Sequence, residues 1–253
     1  MPTRTESSVL CSQEVDPRPA RAFLERINQG RPRQRRVTFF HLLLVSLATA
    51  LHERPRLNRF VAGGRYYQRH GVWIAFSGKQ GMDNDAPLFV RKRQFKADES
   101  LDEAVDGILG LVGGGRSGEK TTSDREVGLL LKLPPLALRL AMRVVRALNA
   151  VNLIPAAMVE SDPLFASAFV ANLGSVGIDA CYHHNYEYGT IPIFATLGRS
   201  KNVAVVTATG QVEAGEVLEI KYTYDERVAD GFYCASALER VKELLEHPEL
   251  LKA

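Results

Sequence analysis

The chain has 253 residues, 45% hydrophobic and 24% charged, with a formal net charge of +3. That length and balance suit one large or two small globular domains, and the charge is too mild to argue nucleic-acid binding. Three cysteines, Cys11, Cys181 and Cys234, stand far apart without CxxC spacing, which argues against a disulfide framework or a zinc site and for a reducing compartment.

Residues 1–18 are polar and hold no apolar segment of a signal peptide. The longest apolar run, FFHLLLVSLATAL (39–51), is interrupted by His41 and Ser46 and is too short to span a bilayer. A soluble, cytoplasmic protein is therefore expected.

In chain order, residues 1–15 are expected to be a flexible arm preceding one domain over 16–253. Asp16-Pro17 starts a helix whose apolar face is Phe23, Leu24 and Ile27. Thr38 caps a second helix to about Arg54, apolar nearly all round and so buried on most faces. The β-rich stretch 58–78 is split by Gly63-Gly64, a hairpin signal, and a further strand is predicted at 87–95. Ser100-x-x-Glu103 is a capping box for a helix that GGGRSG (113–118) should end. Ser123-x-x-Glu126 opens another, broken at Pro134-Pro135. Residues 135–154 form an apolar helix with Arg139, Arg143 and Arg146 on one face. A membrane-surface or partner-binding helix fits that stripe, but a solvated basic face is the favoured reading. Strands follow at 168–173, 191–198, 202–208 and 216–225, and a last helix at 231–246. No repeat of 20–50 residues appears. The expected class is α/β: a two-layer sandwich with a mixed sheet flanked by helices.

Four stretches hold candidate chemistry. FVANLGSVG (169–177) places Asn172, Gly174 and Ser175 at a strand end, where glycine lets backbone approach a ligand or another chain, or simply turns. CYHHNYEYGTIP (181–192) carries His183 and His184 among aromatics; Gly189 and Pro192 argue loop rather than a metal-binding helix. That loop is either a pocket wall with a titratable imidazole or a structural histidine pair. YTYDERVADGFY (222–233) packs Asp225, Glu226, Arg227 and Asp230 at a strand-to-helix junction, as an ion-pair staple or as half of an active site. LHERPRLNRF (51–60) reads as solvated charge at a helix end. GGGRSGEK (113–120) is not a phosphate loop, since Gly118 precedes Glu119 and the run follows a helix.

Four anchors in the right order resemble the catalytic domain of the dihydrolipoyl acyltransferases of 2-oxoacid dehydrogenase complexes, which share the chloramphenicol acetyltransferase fold. They are VTFFHLLLVSLATALHERPRLN (37–58), NLG (172–174), DERVADG (225–231) and ELLEHPELL (243–251). The resemblance implies a homotrimer with active sites between subunits and a channel admitting coenzyme A from one side and the acyl carrier from the other; the expected cofactor is coenzyme A, as acyl-CoA substrate. It implies a histidine base in the DHRxxDG signature, an aspartate four residues on that orients the loop through an arginine, and an oxyanion-donating serine before NLG. Here the base position is Glu226 and the serine position is Ala171, while Asp225, Arg227, Asp230 and Gly231 are retained. The chain shows no lipoyl attachment domain, Ala/Pro-rich linker or subunit-binding domain, and region 121–160 is longer than the family's segment. A stand-alone subgroup is therefore expected. Its catalytic candidates are Glu226, Asp230, His183 and His184, its substrate-binding candidates Asn172, Gly174, Ser175 and Arg227, and no metal is expected. The alternative is a non-catalytic trimeric scaffold or acyl-CoA-binding protein.

Overall fold

The strands alternate apolar residues so that both faces of one sheet are covered, one by helices and one by a loop. The structure, a computed structural model, describes residues 1, 3–207 and 209–252. Residues 2, 208 and 253, which the expected arm, strand and domain spans include, lie outside the described residues. From the N-terminus the elements are β1 (Ser8–Val15), α1 (Pro17–Ile27), α2 (Phe39–Glu53), β2 (Arg59–Ala62), β3 (Arg65–Gln68), β4 (Val72–Lys79), β5 (Leu88–Phe95) and α3 (Leu101–Arg116). There follow α4 (Thr122–Leu130), α5 (Pro135–Ala150), α6 (Ala156–Ser161), β6 (Ala168–Asn172), β7 (Ile193–Val206), β8 (Val212–Asp225) and α7 (Gly231–Glu246).

Six strands form a mixed sheet in the order β1-β8-β7-β6-β4-β5, and β2 and β3 form a separate hairpin at Gly63-Gly64. β6 runs parallel to both β4 and β7, and the other neighbours are antiparallel. Ile74, Phe76, Val170, Ala195, Ile220 and Tyr222 turn to the helix side, where α1, α2, α3 and α7 close the main core. Ala75, Phe169 and Phe194, one residue out of step, turn to the other side and meet the 180–192 loop. This is the two-layer α/β architecture expected from the sequence.

The start signals work as read. Asp16 accepts a hydrogen bond from the Arg18 N–H with Pro17 at the first helical position, and Ser100 and Glu103 complete their capping box. α2 buries nearly every residue from His41 to Leu51, and each buried leucine is worth about 1.5–3 kcal/mol. Among the described residues no helix is long and apolar enough to cross a membrane. Arg139, Arg143 and Arg146 are all exposed on α5.

Several expectations change. Residues 8–15 are not a loose arm: they are the edge strand β1, in register with β8 from Ser8 opposite Asp225 to Val15 opposite Leu218. GGGRSG does not stop α3 at Gly113, because the helix runs on to Arg116 and Phe89 packs where a Gly115 side chain would stand, 2.5 Å from an ideal Cβ. Tertiary packing there outweighs glycine's helix cost. α4 starts two residues early, because Thr121 and Asp124 complete a capping box ahead of Ser123, and Asp124 also lies 3.6 Å from Arg91. The helix predicted over 135–154 ends at Ala150, and α6 follows separately. The strands predicted at 191–198 and 202–208 are one strand, β7, with an irregularity between Leu197 and Ser200.

A buried histidine in the first turn of α2 carries a pH dependence. The Thr38 N–H donates to His41 Nδ1 at 3.0 Å, so that nitrogen holds no proton, and burial pulls the imidazole down from 6.5 to about 4. As pH falls the unfolded chain takes up this proton first. The associated stability is therefore complete above about 6.5 and lost toward about 4, by up to about 3 kcal/mol. Denaturant unfolding at pH 7 and 4.5 should show this loss. His41→Gln keeps an acceptor at the same helix position and should flatten the slope between those two conditions.

Candidate active site

β8 ends at Asp225, whose side chain is buried at 1% exposure. A buried carboxylate must be fully hydrogen-bonded, and this one is. Oδ1 accepts from Ser7 Oγ at 2.9 Å, Arg227 Nε at 2.9 Å and the Arg227 backbone N–H at 3.1 Å, and Oδ2 accepts from Arg227 Nη2 at 2.7 Å. Side chains 225 and 227 thus fold onto one another and turn the residue between them outward. Glu226 is exposed, and its side chain makes no hydrogen bond or ion pair among the described residues. Its backbone N–H donates to the Ser7 carbonyl at 2.9 Å.

Asp230 accepts from the Tyr233 N–H at 2.9 Å and caps α7. The arginine contact implied by the family resemblance is absent among the described residues. The helix N-terminus, with its unpaired N–H groups and partial positive charge, takes the carboxylate instead.

The histidine loop lies over the sheet's second face. His183 stacks on Phe194 with ring centroids 4.0 Å apart and on His184 at 4.8 Å, and Tyr186 closes the cluster. His183 Nδ1 lies 2.7 Å from the His184 carbonyl, and His184 Nδ1 lies 3.1 Å from the Asn185 carbonyl. A carbonyl can only accept, so in the neutral rings Nδ1 carries the proton and Nε2 keeps the lone pair. No hydrogen bond or ion pair joins either ring to Glu226 among the described residues.

Residues 4–7 tie this loop to the Asp225 turn. The buried Arg4 guanidinium donates to the carbonyls of Tyr186 at 2.7 Å, Glu187 at 3.1 Å, and Gly189. Thr5 donates to the Glu187 carboxylate from its N–H at 2.8 Å and from its hydroxyl. Burial raises the Glu187 carboxyl, but the Thr5 and Arg4 bonds outweigh it and hold it below the ordinary value. No sequence signal marks this clamp, because its short polar residues carry no periodicity and their partners lie about 180 positions away.

The NLG turn is built differently. Asn172 Oδ1 accepts from the Ser175 N–H at 3.1 Å, and the Ser175 hydroxyl donates its one proton to the Asn172 carbonyl at 2.8 Å. Asn172 Nδ2 has no partner among the described residues. Gly174 is required: an ideal Cβ there would lie 2.5 Å from the Gly198 carbonyl oxygen.

The structure brings Glu226, Arg227 and Asp230 together at one end of the sheet, with the histidine loop tied beside them. It does not bring Asn172, Gly174 and Ser175 there. Asn172 is in register with Leu197 and that residue with Ile220, five positions before Asp225 on β8. The two turns are thus roughly 17 Å apart along the strands and about 10 Å across them.

Residues 166–253 match the family model described as 2-oxoacid dehydrogenases acyltransferase (catalytic domain). The dihydrolipoamide acetyltransferase of Azotobacter vinelandii, whose structure was used to investigate a serine, a histidine and an asparagine in catalysis, superposes with a TM-score of 0.67. It is 16% identical, over 96% of this chain and 82% of that one. The cubic core of the pyruvate dehydrogenase multienzyme complex gives a TM-score of 0.66 at 16% identity, over 96% of this chain and 82% of that one. A chloramphenicol acetyltransferase gives 0.53 at 12% identity, over 96% and 90%. No curated protein matches the chain by sequence. At these identities the structural likeness is one of fold, the chloramphenicol acetyltransferase-like fold. The resemblance to the acyltransferase catalytic domain holds over the C-terminal third through the family match.

Arg4 is the test of the clamp. Arg4→Met keeps the apolar stem and leaves three carbonyls without their donor, a loss of about 2–4 kcal/mol. It should appear as a lower denaturation midpoint together with new proteolytic cleavage between residues 182 and 190.

Proposed function

We propose that this chain, with the fold of the acetyltransferase cores, is a coenzyme A-dependent acyltransferase that uses an altered set of catalytic groups. The observation that carries this reading is the state of the DERVADG turn. Asp225 and Arg227 are locked on each other while the side chain between them, Glu226, is exposed and unengaged. The position that resembles the family's base thus presents a solvent-facing carboxylate.

In the proposed reaction a base takes the proton from a thiol, and the sulfur attacks the acyl-CoA carbonyl carbon. The resulting oxyanion collapses and breaks the bond to coenzyme A, whose thiolate recovers the proton. Glu226 is the first candidate base. A carboxylate free in water is a weak base against a thiol, so in the proposed assembly another copy covers the exposed Glu226. His183 and His184 are the second candidates, because each ring has its Nδ1 proton on a carbonyl and its Nε2 lone pair left over.

Ala171 supplies no hydroxyl where the resemblance places a serine, and the Ser175 proton is already committed. The Asn172 Nδ2 amide is the donor we assign to the oxyanion. It lies too far from Glu226 in one subunit, so the working site takes the NLG turn of one copy and the DERVADG turn of another. That supports a homotrimer, in keeping with the multienzyme core that shares the fold. Acyl-CoA is the proposed partner, in solution in the cytoplasm.

A panel of acyl-CoAs assayed for thiol release should give turnover. Glu226→Gln and Asn172→Ala should each lower it about 100- to 1000-fold with the assembly intact. If His183→Ala or His184→Ala removes activity while Glu226→Gln does not, the base is the histidine. Intact trimers that release no thiol from any donor would leave a trimeric scaffold or acyl-CoA-binding protein instead.

A further inference from the structure

We propose that the cavity beside the Arg227 turn is a binding site for a phosphorylated ligand. The cavity measures about 680 Å³ and opens between the β2–β3 turn, the end of α5 and the 187–188 loop. Arg4, Arg146 and Arg227 line it, with Asn149 and one acid, Glu187.

The charges within it are not equally engaged. Arg227 is paired on its far side with Asp225, and the Glu187 carboxylate is held by Thr5 and the Arg4 amide. Arg146 makes no hydrogen bond or ion pair, and the Asn149 side chain makes no hydrogen bond, among the described residues. The α5 C-terminus adds about half a negative charge, which the Arg146 guanidinium one turn earlier more than offsets. What remains is a positive cavity with a planar donor fork and an amide not engaged by the protein. A guanidinium fork matches the oxygens of a phosphate and holds it through charge-assisted bonds.

The wall itself is built by close approach. Gly63, at φ +56°, lies against the end of α5, and an ideal Cβ there would stand 2.6 Å from the Ala150 carbonyl oxygen. Only a glycine in that turn lets the helix end come down and present Arg146 and Asn149 to the cavity. Arg139 and Arg143, on the same stripe, do not line it. The longer 121–160 region, which departs from the family resemblance, thus supplies part of the site.

The inference does not depend on acyl transfer, since binding is read without turnover. Titration calorimetry of the full chain with inorganic pyrophosphate at low ionic strength should show saturable binding. Arg146→Gln should weaken it about tenfold or more, and Arg146→Lys should weaken it less. Arg143→Gln, the same change of charge outside the cavity, should leave it within about twofold. Competition by coenzyme A would identify the phosphates of an acyl carrier as the ligand. Pyrophosphate binding that coenzyme A does not displace would identify a different phosphorylated molecule. No saturable binding, no loss in Arg146→Gln, or a loss shared equally by Arg143→Gln overturns the proposal.

Discussion

The candidate site depends on one buried charge. Asp225 sits at the end of a central strand where water does not reach, and an unpaired carboxylate there would cost several kcal/mol. Arg227 supplies three of its four hydrogen bonds and Ser7 the fourth. Satisfying Asp225 therefore draws the first residues of the chain up against its end, folds Arg227 inward and leaves Glu226 facing out. One electrostatic requirement thus sets the path of the arm, the shape of the turn and the exposure of the residue with functional interest.

The second face of the sheet follows the same logic with apolar groups. Phe169 and Phe194 stack at 4.8 Å, and His183 continues the stack. A histidine held this way is a packed ring that still leaves its Nε2 out of the hydrogen bond to the carbonyl, so the two readings of the HH pair are compatible. Arg4 then ties the far end of the loop by backbone carbonyls, which fixes the loop whatever its side chains are. Glycines serve the opposite end: Gly174 lets the NLG corner approach the Gly198 carbonyl of β7, and Gly198 lets the Ala180 backbone approach β7.

The geometry of the sheet also explains why a single subunit is incomplete for the proposed chemistry. Parallel β6 and β7 carry the NLG turn at their C-terminal side, and antiparallel β8 returns the DERVADG turn to the other. Strand direction alone separates the two, and no rotamer change within one chain closes a gap of several strand residues.

Local order was legible in the sequence where it rests on neighbours in the chain. Asp16-Pro17, the Ser100–Glu103 box, the Gly63-Gly64 hairpin and the apolar run of α2 each declared themselves, because caps, turns and periodicity are short-range physics. The DERVADG stretch was legible as a charge cluster at a strand-to-helix junction, but the pairing of Asp225 with Arg227 and the capping of α7 by Asp230 were not. Only the tertiary structure decided the rest. β1 has a weak pattern of its own and becomes a strand because β8 offers it an edge. α3 runs on through Gly113 and Gly114 to Gly115, where Phe89 packs in the space a side chain would fill. Arg4, Thr5 and Ser7 become structural because a loop and a buried carboxylate about 180 to 220 residues away lack donors without them. Contacts of that sequence separation leave no periodic trace in the chain, and only folding brings their two halves into reach.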